Sequence, residues 1–246
     1  MEQNHIAPLD AARHANTRLG AFPDFSHARQ QQHAILGSSE MMLAAADYPL
    51  VLMKHAQTGQ FNVVALFGFA SGQNLYVSGA HWNATYIPQN TLRYPFMASE
   101  AGVLGLALDE RSELIGNPAG YRLFDDSGHP TDYTRQVADT LQWLRRDFET
   151  MQELVLALTQ LSLVRPLTLL LRMDNSTESQ IEGLYSVSDF ALGALAETDI
   201  VRLHRRGFLR ATSILAASLV QLNRLQQLHN GQSPLRIVNM AISLRE

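Results

Sequence analysis

The chain has 246 residues, of which 46% are hydrophobic and 17% are charged, a composition typical of a globular protein with a sizeable core. Its 19 basic and 23 acidic residues give a net charge of −4, which argues against a general nucleic-acid-binding protein because such proteins carry a basic surface. The chain contains no cysteine, so disulfides, thiolate nucleophiles and cysteine-based metal sites are excluded.

The first 34 residues are polar and show little periodicity, so we expect residues 1–34 to form an extended N-terminal arm. His27 and His33 are six positions apart, which would put them on different helix faces, and we expect both to be solvated rather than to share a metal. The N-terminal residues lack the basic flank and apolar stretch of a secretory signal. No stretch reaches the length of apolar sequence that a membrane span requires, so we expect a cytoplasmic location.

Short runs of β-forming residues follow at 49–54, 61–69 and 74–77. They are separated by Thr58-Gly59 and Ser71-Gly72, which is typical of a meander of antiparallel strands. Residues 63–67 are almost continuously apolar, and this pattern predicts a strand that is covered on both faces.

The strand pattern then stops at an irregular segment rich in aromatic, amide and guanidinium groups. We take as candidate binding residues Trp82, Asn83, Tyr86, Arg93 and Tyr94. Aromatic faces give a large contact area, and an arginine offers a fork for a carboxylate or a phosphate. The alternative is that the rings cover the sheet while Arg93 donates to backbone carbonyls inside the loop.

From residue 131 the apolar residues recur at steps of three and four, which predicts one long amphipathic helix up to residue 164, capped by Thr131 or Asp132. Further strands are predicted at 103–108, 167–172 and 181–187. The last third of the chain predicts a cluster of helices, of which the final one covers residues 208–228.

One basic cluster lies in this helical part. It is a candidate partner-binding site for an acidic surface or a carboxylate, and it consists of Arg202, Arg205, Arg206 and Arg210. The alternative is a solvated face, because arginines near a helix C-terminus are also favoured by the helix dipole. No phosphate-binding loop, nucleophile elbow or zinc-binding helix motif is present, so we expect no metal and no cofactor.

These patterns predict a single α+β domain with a mainly antiparallel sheet, a long amphipathic helix and a C-terminal helical cluster. The domain is expected to cover residues 35–230. Residues 1–34 form the arm and residues 231–246 a C-terminal tail.

Several short motifs occur in a set order along the chain. They are Asp47-Tyr48-Pro49, Val64-Ala65-Leu66-Phe67-Gly68, Gln73-Asn74-Leu75-Tyr76-Val77, Trp82-Asn83-Ala84-Thr85-Tyr86-Ile87-Pro88, Arg93-Tyr94-Pro95-Phe96, Arg122-Leu123-Phe124-Asp125 with Gly128, and Gly183-Leu184-Tyr185-Ser186-Val187, followed by a closing helix with Ser218. In this order they resemble the SapC family of proteobacterial proteins. The resemblance implies genes placed near those of flavoproteins similar to tryptophan halogenases, cupin-like proteins and outer-membrane receptors, and it implies no catalytic residue.

Three classes of function fit these observations. We favour a non-catalytic binding or accessory protein that acts with neighbouring enzymes or uptake systems, because no nucleophile, base and electrophile can be combined from this chain. The alternatives are an enzyme acting on a small molecule or peptide around Trp82, Tyr86 and Arg93, and a structural homo-oligomer. The expected partner is a protein, with a small-molecule or peptide ligand as the alternative, and neither nucleic acid nor a membrane span is expected.

Overall fold

The computed structural model describes residues 5–20 and 25–245, and over this range the chain is a single α+β domain with antiparallel sheets, which confirms the predicted fold class. Its contacts cluster in two compact units whose segments alternate along the chain. The smaller unit comprises the described parts of Met1–Ala28, Gly79–His81 and Gln89–Arg146. The larger unit comprises the described parts of Arg29–Ser78, Trp82–Pro88 and Asp147–Glu246.

The strands are, in chain order, β1 (Ile6–Pro8), β2 (Arg18–Leu19), β3 (His33–Ile35), β4 (Leu50–Lys54), β5 (Phe61–Leu66), β6 (Val77–Ser78), β7 (His81–Trp82), β8 (Phe96–Ala98), β9 (Leu106–Asp109), β10 (Tyr121–Arg122), β11 (Val164–Met173), β12 (Glu178–Val187) and β13 (Ile237–Leu244). The helices are α1 (Met41–Ala45), α2 (Gln89–Leu92), α3 (Asp132–Gln160), α4 (Asp189–Gly193), α5 (Glu197–Arg205), α6 (Phe208–Ala217) and α7 (Leu222–Gln232). Short 3₁₀ turns occur at Ser26–Ala28, Ser38–Glu40, Val103–Gly105 and Ser218–Gln221.

The larger unit is built on a six-stranded antiparallel sheet with the order β13-β11-β12-β4-β5-β3. In β5, Val63, Val64, Ala65 and Leu66 are all buried, as their continuous apolar sequence predicts. Because β5 lies between β4 and β3, its backbone groups are paired on both sides. The sheet therefore has a central region covered on both faces and two terminal strands of different length, β3 and β13.

The smaller unit has its own apolar core. A three-stranded sheet with the order β1-β9-β8 and a two-stranded sheet of β10 and β2 supply its backbone pairing. Its buried side chains are Leu9, Leu19, Phe96, Leu106, Leu108, Leu123, Phe124 and Leu141. The start of α3 covers this core, and Thr131 caps that helix as predicted, since its Oγ1 accepts a hydrogen bond from the Thr134 N–H at 3.4 Å.

Both chain ends differ from the prediction. The described parts of the predicted arm over residues 1–34 are not extended away from the domain, because β1 pairs with β9, β2 with β10 and β3 with β5. The described part of the predicted tail over residues 231–246 is not free, because β13 pairs with β11 along almost its whole length. In each case the strand partner lies far away in the sequence, so the local composition alone did not reveal the pairing.

The two histidines of the predicted arm are partly buried rather than fully solvated. The His27 ring stacks on Tyr94, with 4.3 Å between ring centroids, and its Nε2 lies 3.2 Å from the carbonyl oxygen of Thr91. His33 lies in β3, where burial lowers the pKa of its imidazole. In the described part of the chain, no group of three or more His, Cys, Asp or Glu could hold a metal ion.

The predicted final helix over residues 208–228 is divided into α6, a 3₁₀ turn and α7. Ser218 begins the turn and is 2% exposed. Its Oγ accepts a hydrogen bond from the Leu50 N–H at 2.9 Å and donates to the Leu215 carbonyl at 2.7 Å. This hydroxyl therefore connects the helical cluster to the beginning of β4.

We predict that Ser218→Ala lowers the free energy of unfolding by about 1–3 kcal/mol, because the Leu50 N–H would remain buried without an acceptor. Urea unfolding of the purified variant measures the effect. Ser213→Ala is the matched control, since Ser213 is exposed on the same helical segment and bonds only to Leu209, and we expect it to change stability by less than about 0.5 kcal/mol. Equal effects of the two variants would contradict the role assigned to Ser218.

Candidate functional site

The five candidate binding residues are divided between the two compact units. Trp82, Asn83 and Tyr86 belong to the larger unit, and Arg93 and Tyr94 belong to the smaller one. We describe the two groups separately.

A buried carboxylate organises the first group. Asp47 Oδ2 accepts hydrogen bonds from the Thr85 N–H at 2.8 Å, the Thr85 hydroxyl at 2.5 Å and the Tyr86 N–H at 2.9 Å. Its Oδ1 accepts from Arg224 Nη1 at 2.7 Å, and Arg224 Nη2 donates to the Asn83 carbonyl at 2.9 Å. Asp47 and Arg224 together thus hold the segment 83–86 in place.

The aromatic residues extend this arrangement inward. The Tyr48 hydroxyl donates to the Tyr86 carbonyl and accepts from Trp82 Nε1 at 2.6 Å. The Tyr76 hydroxyl donates to the Asp47 carbonyl at 2.8 Å. We call these groups the Asp47 network, and it consists of Asp47, Tyr48, Tyr76, Trp82, Thr85, Tyr86 and Arg224.

The side chain of Tyr86 ends on a second buried carboxylate. Glu40 is 2% exposed, and its Oε1 accepts from the Tyr86 hydroxyl at 2.7 Å while its Oε2 accepts from the Gly37 N–H at 2.8 Å. A Cβ atom at Gly37 would lie 2.0 Å from Asp147 Oδ2, so the close approach of Asp147 requires a glycine. Glu40 and Asp147 therefore both lie against Gly37, in the chain that leads into α1.

Burial raises the pKa of the Tyr48 hydroxyl well above its ordinary value, and burial likewise raises the pKa of Tyr76. Both phenols are consequently neutral hydrogen-bond donors near neutral pH, and neither is a ready base. Trp82 Nε1 and the Tyr86 hydroxyl are also bonded to protein groups. These contacts are the ones described by the alternative in which the rings cover the sheet.

The second group behaves in a similar way. Arg93 Nε donates to Asn90 Oδ1 at 2.6 Å and Nη1 donates to the Phe96 carbonyl at 2.8 Å, while burial lowers the pKa of this guanidinium. Tyr94 stacks on His27, and its hydroxyl lies 3.4 Å from Asp109 Oδ2. Arg93 thus donates to its own loop, as the alternative expectation described.

The four predicted partner-binding arginines differ in their contacts. Arg202 is paired with Asp199 at 2.7 Å, and Arg206 is paired with Glu153 at 2.8 Å. The Arg206 guanidinium also lies over the Phe208 ring, 4.2 Å from its centroid. Arg205 and Arg210 are exposed, and neither has a hydrogen-bond or ion-pair partner among residues 5–20 and 25–245.

Arg206 and Arg210 line a concavity of about 290 Å³ in the larger unit. We call it the arginine groove, and it is lined by Ser38, Ser39, Met41, Met42, Thr150, Leu154, Arg206, Gly207, Phe208, Arg210, Ala211 and Ile214. Met42 is 55% exposed, and its neighbour Leu43 is 56% exposed. The groove thus joins an apolar surface to a free cationic side chain.

The sequence indicated the arginines of this groove but not its apolar wall. Met41 and Met42 lie in a short helix more than 160 residues before Arg210, and only the fold brings the two segments together. The two adjacent methionines were the available signal, because methionine is frequent at adaptable binding surfaces.

The structure thus combines an antiparallel α+β fold with a hydrogen-bonded aromatic segment and an open groove. The family model SapC matches residues 9–225, and the chain therefore belongs to the SapC family. No curated protein and no solved structure shows significant similarity to the chain. Among the described helices, none is long and apolar enough to span a membrane.

We predict that Asp47→Ala lowers the free energy of unfolding by about 2–3 kcal/mol, because several partly buried donors lose their shared acceptor at once. Arg224→Met should lower the free energy of unfolding by less than Asp47→Ala does, since the Arg224 side chain is 34% exposed whereas that of Asp47 is 3% exposed. The decrease in the free energy of unfolding of the double variant should be smaller than the sum of the decreases of the two single variants, because both changes remove the same contact.

Urea unfolding of the three variants gives this comparison. Arg202→Met is the matched control, because its ion pair with Asp199 lies at the surface and should contribute less than about 1 kcal/mol. Strict additivity of the Asp47 and Arg224 effects would show that the two side chains do not act together.

The tyrosines give a prediction for alkaline pH. Burial raises the Tyr76 pKa above the ordinary value of about 10. The contribution of this shift to the free energy of unfolding is therefore fully present below about pH 10 and is lost as the pH rises further. The free energy of unfolding should therefore decline less steeply between about pH 9 and pH 11 in Tyr76→Phe than in the unmodified protein. Urea titrations at several pH values measure this slope, and identical slopes would contradict the prediction.

Proposed function

We propose that this SapC-family protein is a non-catalytic accessory protein that binds an acidic, amphipathic segment of a protein partner in the arginine groove. The observation that carries the proposal is the position of Arg210, an exposed guanidinium that has no ion-pair partner among the described residues and lies on a wall shared with Met42 and Phe208. A ligand with an apolar face and a carboxylate beside it matches both properties of this surface.

The size of the groove favours side chains over a whole small molecule. Pockets that enclose a drug-sized ligand typically measure about 300–1,000 Å³, and the arginine groove, at about 290 Å³, falls just below that range. It has room for a few side chains of a peptide segment. A helix would present such side chains at intervals of three and four residues.

The composition of the wall also supports a protein ligand. Methionine side chains are flexible and polarizable, and they adapt to apolar surfaces of varied shape. The net charge of the chain is −4, so a local group of arginines on it would attract an acidic segment selectively rather than polyanions in general.

The contacts of the Asp47 network support the non-catalytic part of the proposal. Its hydroxyl, indole and carboxylate groups are bonded to one another or to backbone groups, as expected of side chains that hold a buried loop in place. We place the protein in the cytoplasm, as the sequence led us to expect. The family resemblance points to the products of neighbouring genes as the first partners to test.

We predict that Arg210→Glu weakens the binding of acidic amphipathic peptides at least about tenfold, because the charge beside the apolar wall is reversed. The test selects binders from a displayed library of helical peptides with the unmodified protein and measures the affinity of the enriched sequences by calorimetry. Arg111→Glu is the matched control, since it makes the same charge change at an exposed position of the smaller unit.

The proposal requires that the enriched peptides be acidic and amphipathic. It also requires that Met42→Ala weaken their binding while Arg111→Glu leaves it unchanged. Enriched peptides that bind the Arg210→Glu and unmodified proteins equally well would overturn it.

A further inference from the structure

The six-stranded sheet ends in a long strand, β13, that is unpaired on its outer side within the described residues. The strand at the other end of the sheet, β3, has only 3 residues, whereas β13 has 8. Proteins usually protect a sheet edge with charged residues, proline or very short strands. Residues 238–244 contain no charged residue and no proline, so none of these sequence devices protects this edge.

The register with β11 shows which backbone groups face outward. The Arg245 N–H donates to the Pro166 carbonyl at 3.1 Å, so this pair of residues is a hydrogen-bonded pair of the antiparallel ladder. Such pairs alternate along antiparallel strands. The backbone groups of residues 239, 241 and 243 therefore bind β11, and those of Met240, Ile242 and Leu244 point away from it.

One end of the edge is already closed. The Asn230 side chain of α7 accepts from the Ile237 N–H at 2.7 Å and donates to the Ile237 carbonyl at 2.9 Å, in the manner of a neighbouring strand. The open edge thus begins after Ile237. Its outward-facing residues are Met240, Ile242 and Leu244, and Ile242 is their midpoint.

The side chains of these residues continue an apolar row. In the register with β11, Ile242 lies opposite Leu169 and Leu244 lies opposite Leu167, and both of these β11 residues are buried. Ile242 itself is 47% exposed. The apolar face of the sheet therefore extends to β13, where Met240 and Leu244 are partly buried and Ile242 is exposed.

We propose that β13 pairs antiparallel with β13 of a second copy of this chain, about a two-fold axis at Ile242. This register places outward-facing backbone groups opposite one another, so that Ile242 faces its symmetry mate and Met240 faces Leu244. The two sheets become one continuous sheet, and its apolar row continues across the axis.

The remaining pairs in this register are also compatible. Ala241 faces Ser243, which are both small, and Asn239 faces Arg245, which are both polar. No like charges lie opposite each other. This self-complementarity is the reason to assign the edge to a second copy rather than to an unrelated strand, and it is independent of the arginine groove.

Charge substitutions at the axis test the proposal. Light scattering should give the mass of two chains for the unmodified protein at micromolar concentration. Ile242→Lys should place two lysines opposite each other and raise the dissociation constant at least about tenfold, and Ile242→Glu should do the same. A mixture of the two variants should recover a dimer that contains one copy of each, because their charges are then opposite.

Cysteine substitutions test the register, since the chain has no cysteine of its own. Ile242→Cys should form a disulfide-linked dimer on mild oxidation, because residues opposite one another in a hydrogen-bonded pair have Cα atoms about 5.5 Å apart. Ala241→Cys is the matched control. It should not cross-link to itself, because its symmetry mate is displaced by two residues.

Circular dichroism and thermal unfolding establish that each variant is folded, and the exposed position of Ile242 makes a folding defect unexpected. A monomeric unmodified protein at about 100 μM would overturn the proposal, since an interface this weak would not persist. So would a dimer that Ile242→Lys leaves intact, or one in which Ala241→Cys cross-links and Ile242→Cys does not.

Discussion

The arrangement of the larger unit depends on one buried carboxylate. Asp47 accepts hydrogen bonds from Thr85 and Tyr86, at one end of the segment 83–86, and from Arg224 of α7, which in turn donates to the Asn83 carbonyl at the other end. A carboxylate that has left water is stable only when such donors replace its hydration. Asp47 therefore couples the entry to β4, the segment 83–86 and the last helix, and the aromatic rings of the Asp47 network pack around this connection.

This constraint explains why the aromatic segment resembles a binding site in sequence and a support in structure. A loop buried against a sheet must satisfy its own backbone groups, and tyrosine, tryptophan, asparagine and arginine supply the donors and acceptors to do so. The same residue types line many ligand sites. What separates the two cases is whether the polar tips remain available, and in Trp82, Tyr86 and Arg93 they are bonded to the protein.

The two exposed surfaces proposed for binding, the arginine groove and the edge of β13, differ in the groups that they present. The arginine groove combines the exposed side chains of Arg210 and Met42, and β13 presents backbone groups together with the apolar side chain of Ile242. A groove recognises side chains and charge, whereas a strand edge recognises another strand through its backbone. An accessory protein that assembles with itself at one surface and binds its partner at the other would use both.

The sequence by itself determined the α+β class, the buried character of β5, the position and cap of α3, and the family to which the chain belongs. These features are local, because the residues that specify a strand, a helix or a short motif are close together in the sequence. Only the tertiary structure decided that both chain ends join the sheets and that Asp47 meets Arg224, 177 positions away. Local patterns cannot specify such pairings, since the energy that selects a distant partner arises only when the chain has folded.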